Sequence, residues 1–179
     1  LYGAAQHIER LDPLEVIGGA RALIEAGLDP LKYSLYLLDG DRLVCVLSKG
    51  HEPAYPSWVY DRSTPLFSRI VEQRLTACVA RPAEASVLGE DGVIAGPLIS
   101  DQTGEVVGML KIEQIGFISL NLAAVQNFEV ICRWVGTAFA KAQQHMDGHV
   151  SAYFNASTQI LSFGMFEQQS LFVTRIARR

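Results

Sequence analysis

With 179 residues, the chain is long enough to bury a core without disulfide or metal staples, and it suits one domain plus a short appended segment. Its 49% apolar and 19% charged residues exclude disorder, and a net charge of −4 argues against a surface built to grip nucleic-acid phosphates. No apolar run of about 18 residues is present to cross a membrane.

The first element opens at Asp12-Pro13-Leu14-Glu15, where Asp12 suits an N-cap, Pro13 the first helical position and Glu15 the capping-box place. Leu14, Ile17, Ala20, Leu23 and Ile24 then recur at helical spacing, with Gly27 as the expected stop. Residues 1–12 read as a connector into this helix. In YSLYLLDGDRLVCVLSKG, residues 33 to 50, two β-rich runs flank Asp39-Gly40-Asp41, a strong hairpin signal. Residues 50 to 61 carry two prolines and three aromatics without a period, which predicts loop or partial strand.

Ser63-Thr64-Pro65 predicts the start of a short helix with Leu66, Phe67, Ile70 and Val71 on its apolar side. A short strand over 76 to 80 follows, and residues 81 to 92 read as loop. Two further strands, 93 to 99 and 106 to 115, are joined at Asp101-Gln102-Thr103-Gly104. In the second strand Val106, Gly108, Leu110 and Ile112 share one face, while Glu105, Lys111 and Glu113 share the other. The first face packs; the second meets solvent, as antiparallel sheets commonly allow, or else a polar cavity. Residues 121 to 145 form the longest helix, on the spacing of Leu122, Val125, Phe128, Ile131, Cys132, Val135 and Phe139. The remaining stretch is rich in helix formers towards its end. Helices at the two ends of a mainly antiparallel sheet predict an α+β fold.

That order resembles a GAF domain. SLYLLDGDRLVCV resembles the family's first hairpin, STPLFSRIVEQRLTACVA its small capped helix leading into a short strand, and GVIAGPLISDQTGEVVGMLKIE its best-marked strand–turn–strand segment. The resemblance covers about residues 13 to 145 and implies a central antiparallel sheet of five or six strands flanked by helices, with a helical C-terminal extension. A narrower resemblance lies in IEQIGFISLNLAAVQNFEVICRWVGTAF, which is similar to the GAF domain of PelD-type proteins, inner-membrane cyclic di-GMP receptors of Pel exopolysaccharide systems. In those proteins a degenerate GGDEF domain follows. Residues 155 to 166 keep Thr158 and Phe166 of the opening GGDEF pattern, with Gln159, Ser162 and Phe163 departing from it. The resemblance thus implies a connector over 1–12, a GAF domain over 13–146, and a linker with the start of a truncated, degenerate GGDEF domain over 147–179.

No Arg-x-x-Asp, the arrangement the GGDEF family uses to hold cyclic di-GMP, occurs in the chain, so dinucleotide binding is expected only through a downstream domain. Opening at Leu1 rather than Met points to a fragment, and the resemblance implies a cytoplasmic domain of a membrane-anchored parent that regulates exopolysaccharide and biofilm production. Some GAF domains bind small ligands between sheet and loops; here Tyr36, Trp58, Tyr60, Lys111 and Glu113 are the candidate lining, against the simpler reading that the aromatics close the core. The Asn-Lys-Phe-Asp-Glu signature of cyclic-nucleotide GAF domains is missing, and no cysteine neighbours a histidine as bilin attachment would need.

The cysteines Cys45, Cys78 and Cys132 are odd in number, lack metal-ligand spacing and sit in apolar contexts, which predicts reduced core thiols. An enzymatic alternative, the GAF-fold free methionine sulfoxide reductase, would need a reactive thiolate, and Cys78, placed near the expected pocket edge, is its one candidate. His7, His51, His145 and His149 show no triad-like or metal-like arrangement and read as surface side chains. The expectation is a non-catalytic sensory or interaction module without cofactor or metal, contacting protein partners or a second copy through its terminal helices. A ligand-binding sensor is the alternative.

Overall fold

The computed structural model describes residues 13–51, 59–89, 91–116 and 121–146, together with two short strands at 154–155 and 160–161. The chain divides into two compact units, one through Ala142 and one from Gln143 onward. In the first unit, helix α1 (Pro13–Leu28) leads into the hairpin β1 (Lys32–Asp39) and β2 (Arg42–Lys49), followed by β3 (Tyr60–Asp61). A short helix α2 (Pro65–Phe67) continues as a π-helical turn, Ser68–Glu72; then come β4 (Ala77–Cys78), α3 (Pro82–Leu88), β5 (Ile94–Ile99), β6 (Val106–Gln114) and the long helix α4 (Leu122–Met146). The second unit contributes the paired strands β7 (Phe154–Asn155) and β8 (Ile160–Leu161); the rest of the expected helical extension and GGDEF opening lies outside the described residues.

The six strands of the first unit form one sheet in the order β3-β2-β1-β6-β5-β4, every pairing antiparallel. β1 and β6 therefore occupy the centre, and alternation along them separates two cores. Tyr33 and Leu35 of β1, Leu110 and Ile112 of β6 and Ile94 and Leu98 of β5 face one way, where Val16, Ala20, Leu23 and Ile24 of α1 and Phe128, Ile131, Val135 and Phe139 of α4 cover them. The spacing of each set is the one read from the sequence, and burial of each large side chain contributes about 1.5–3 kcal/mol. Tyr36, Met109, Ala95, Ala77 and Leu43 face the opposite way and meet Leu66, Phe67, Ile70 and Leu88 of the short helices. The result is three layers, two long helices on one side and short helical turns on the other.

Close contacts fix the layers. A Cβ placed on Gly136 would lie 2.5 Å from the Ile99 nitrogen and 2.6 Å from its oxygen, so the α4 backbone rests directly on β5 at a point only glycine permits. The hairpin turns at Gly40-Asp41 with Gly40 alone at positive φ (57°), the pattern of a type II′ turn. Thr64 caps α2, its Oγ1 accepting from the Phe67 N–H at 3.4 Å while donating to the Asp61 carbonyl at 2.7 Å.

Two sequence expectations need correction here. α1 continues through Gly27 to Leu28, and the chain turns instead at Asp29, whose φ of 46° the short polar side chain tolerates. Residues 82 to 88, expected as loop, form α3 between Pro82 at its start and Gly89 at φ 75°. Its stability is tertiary: the Glu84 carboxylate accepts from Arg69 Nη2 at 2.5 Å, Arg81 Nη1 at 3.3 Å and the Cys78 amide at 3.0 Å. Among the described residues, no helix is long and apolar enough to cross a membrane.

Candidate functional site

β6 places Met109, Lys111 and Glu113 on the face covered by the short helices, and β1 sets Tyr36 opposite Met109 and Ser34 opposite Lys111. The two charges are not on a wet face: Lys111 is 4% exposed and Glu113 6%, and Ser34 between them is fully buried. The solvent-facing expectation for this face is therefore wrong, because the sheet has a second covered side that period-two alternation cannot distinguish from an exposed one. Tyr60, brought beside Leu43 by the β2–β3 pairing, closes the group from the sheet edge.

The contacts form two linked sets. Ser34 Oγ donates to Glu113 Oε1 at 2.9 Å and lies 2.9 Å from His51 Nε2. A serine hydroxyl has one proton, so Ser34 cannot donate to both groups, and the His51 tautomer sets the direction of the second contact. His51 Nε2 is also 3.7 Å from Glu113 Oε2, and the imidazole is 4% exposed. It is no surface histidine, contrary to the expectation from the sequence. In the second set Lys111 Nζ donates to the Tyr60 hydroxyl at 3.1 Å, 5.6 Å from that ring's centroid, and Tyr60 meets Tyr36 edge-on with centroids 5.3 Å apart.

Burial governs the electrostatics. Desolvation pushes the Glu113 carboxyl up to about 7, against the Ser34 hydrogen bond and the Lys111 and Lys32 charges, which pull it down. Burial also pushes the His51 imidazole down, reinforced by the Lys32 and Lys111 charges, and holds the Tyr36 phenol well above its ordinary value. The Tyr36 hydroxyl lies beside Ser34 yet has no hydrogen-bond partner among the described residues, and neither has Glu113 Oε2.

Of the five residues expected to line a pocket, four are brought together: Tyr36, Tyr60, Lys111 and Glu113. Trp58 lies outside the described residues. Ser34 and His51 were missed. Ser34 carried a signal, a hydroxyl at an interior position of an apolar strand, in register with Lys111; His51 carried none.

The set Ser34, His51 and Glu113 has the residue types of a hydrolytic triad in the wrong order. A nucleophilic serine donates to the histidine, which donates to the acid; here the serine sits in the middle, spends its proton on the acid and is fully buried. The thiols give no better nucleophile. Burial pushes Cys45 up to about 11 and Cys132 well above its ordinary value. Cys78 packs with the α1–α4 core, so it is not at the edge of the polar face as expected from the sequence.

The fold is similar to that of a putative GAF sensor protein from Burkholderia vietnamiensis (21% identity, TM-score 0.58, covering 79% of this chain and 92% of that one). It is also similar to PelD 158-CT from Pseudomonas aeruginosa PAO1 (17%, 0.53, 79% of this chain and 46% of that one). A third likeness is to free methionine-R-sulfoxide reductase from Neisseria meningitidis, solved with its substrate (18%, 0.54, 79% and 89%). At these identities the likeness is one of fold. A comparison with curated proteins returns no match. The family model described as GAF domain matches residues 15–141, most of the chain and all six strands of the sheet. The chain belongs to the GAF domain family, and its architecture is that of a sensory or interaction module.

Proposed function

We propose that this GAF domain is a non-catalytic sensor whose input is a small polar molecule held on the sheet face around Ser34, His51, Lys111 and Glu113, with Tyr36 and Tyr60 as its walls. The observation that carries the reading is the burial of a lysine and a glutamate two residues apart on a central strand, beside polar atoms left unmatched. A face that served packing alone would be better filled with apolar side chains, since buried charge pairs seldom repay their desolvation. Trp58, expected from the sequence to join the lining, lies outside the described residues. An NMR titration of the chain with metabolite pools tests this: the resonances of Ser34, His51, Lys111 and Glu113 are expected to move together. Shifts confined to the α1–α4 side would overturn it.

A second reading, favoured by the 112–139 stretch and by the fold likeness to PelD 158-CT, places the domain in a PelD-type receptor. In that setting it is cytoplasmic, relays signals through protein contacts or a second copy by its terminal helices, and leaves cyclic di-GMP to a following degenerate GGDEF domain in the control of exopolysaccharide and biofilm. Calorimetry of this chain with cyclic di-GMP is expected to show no heat of binding; saturable binding would contradict that division of labour.

A further inference from the structure

We propose that Ser34 is a two-way hydrogen-bond switch between Glu113 and His51: uptake of one proton by the cluster reverses its hydroxyl and flips the His51 tautomer. The charge state of the sheet centre is thereby passed to the end of β2. No bound ligand is needed, so the switch stands apart from the sensor reading above.

The two contacts are alike in length. Ser34 Oγ lies 2.9 Å from Glu113 Oε1 and 2.9 Å from His51 Nε2. One hydroxyl proton cannot serve both, and the oxygen accepts from whichever neighbour carries a proton of its own. With Glu113 ionised, His51 Nε2–H donates to Ser34 and Ser34 donates to the carboxylate. With Glu113 protonated at Oε1 the direction reverses: the carboxyl donates to Ser34 and Ser34 donates to a bare Nε2. Both directions use the same three heavy atoms at unchanged distances, so the switch requires no movement of the strands.

The position of the proton follows from its neighbours. Glu113 Oε2 lacks a hydrogen-bond partner among the described residues, and His51 Nε2, 3.7 Å away, is beyond hydrogen-bonding reach. A proton on Oε2 would be a buried donor without an acceptor, whereas on Oε1 it faces Ser34 Oγ. The Glu113 and Ser34 side chains are fully buried and the His51 ring is 4% exposed, so the proton enters through the ring. It arrives at Nδ1, the Nε2 proton passes to Ser34, and the Ser34 proton passes to Glu113. One proton is gained and the ring ends neutral. Its Nδ1 has changed from acceptor to donor just beyond Lys49, the last residue of β2.

The surroundings place the exchange near neutral pH. Burial pushes the Glu113 carboxyl up to about 7, against Ser34, Lys111 and Lys32. Burial also pushes His51 down, with the Lys32 and Lys111 charges and against the Tyr33 carbonyl and Asp91. The ring is therefore neutral where the carboxyl titrates. Tyr36 of β1 and Cys45 of β2 also feel Glu113, and burial keeps both protonated through this range. Tyr60 of β3 accepts from Lys111, and Arg69 of the covering π-helical turn is paired with Glu84.

NMR of the full chain with isotope-labelled histidine and glutamate tests the switch. Between about pH 6 and about pH 8 the His51 ring is expected to stay neutral and to change from Nδ1–H to Nε2–H, with the same midpoint as the Glu113 carboxyl. Ser34→Ala removes the hydroxyl with little change in volume; the carboxyl is expected to go on titrating while the tautomer stays fixed. Glu113→Gln is expected to fix the tautomer as well, and it decides the matter where the alanine variant fails to fold. A wild-type tautomer that stays constant while Glu113 titrates puts the proton on Oε2 and overturns the switch. So does a ring that carries a charge over this range, which makes the contact an ordinary ion pair, and so does a tautomer change that persists in either variant.

Discussion

Replacing Glu113 with glutamine changes the stability of the ligand-free protein in a way fixed by its surroundings. Desolvation outweighs the Ser34 bond and the Lys111 and Lys32 charges, raising the carboxyl from 4.5 to about 7. An acid raised in the fold keeps its proton where the unfolded chain has already lost it, so stability falls as pH rises between those two values and stays lower above them. The interval of roughly 2.5 pH units, at about 1.4 kcal/mol each, is worth about 3 kcal/mol. Glutamine keeps the acceptor for Ser34 and carries no such slope. The variant is therefore expected to match the wild type near pH 4.5 and to exceed it by about 3 kcal/mol at pH 8. His51 acts in the opposite sense: its imidazole is lowered in the fold, so its contribution grows as pH rises towards 6.5. Urea unfolding at pH 4.5, 6 and 8 reads the difference directly. A variant no more stable than the wild type at pH 8 would refute the reading of Glu113 as an under-compensated buried acid.

Three further outcomes follow from other parts of the fold. Gly136→Ala forces a methyl group into the β5 backbone and is expected to cost about 3 kcal/mol or more, read as a lowered urea midpoint with unchanged m-value. Glu84→Ala removes the acceptor shared by Arg69, Arg81 and the Cys78 amide; hydrogen exchange at Cys78 is expected to accelerate more than exchange at the β1–β6 ladder. Neither the wild type nor Cys78→Ser is expected to reduce free methionine sulfoxide in a coupled assay, since Cys78 packs in the apolar core shared with α1 and α4.

The sheet was legible because its signals are local. Asp39-Gly40-Asp41 encodes a hairpin turn within three residues, Thr64-Pro65 a helix start within two, and the stripe from Val125 to Phe139 repeats often enough to outvote its exceptions. Helix α3 was not legible, because its seven residues have little apolar periodicity and are held by one carboxylate reaching back to Arg69 and Cys78. His51 was illegible for the same reason on a larger scale. Its partners are 17 and 62 residues away, and only the antiparallel pairing of β1 with β6 brings Ser34 and Glu113 to it.

Lys111 and Glu113 are the instructive case, since their alternation was read correctly and its meaning was not. Period two separates the faces of a strand but says nothing about what covers each face. A central strand covered on both sides is expected to be apolar throughout, as β5 is from Ile94 to Leu98. β6 breaks that rule twice within three residues, and β1 breaks it at Ser34, the position paired with the first break. Three polar residues buried at adjoining positions of two central strands cannot be attributed to tolerance at an edge or a loop. Sequences conflict with the local demands of their fold mainly where function holds them there. Such conflict is absent from the other face of the same two strands, where Tyr33, Leu35, Leu110 and Ile112 meet the long helices. The contrast between the two faces of β1 and β6 is thus itself the argument for locating the sensor's input on the short-helix side.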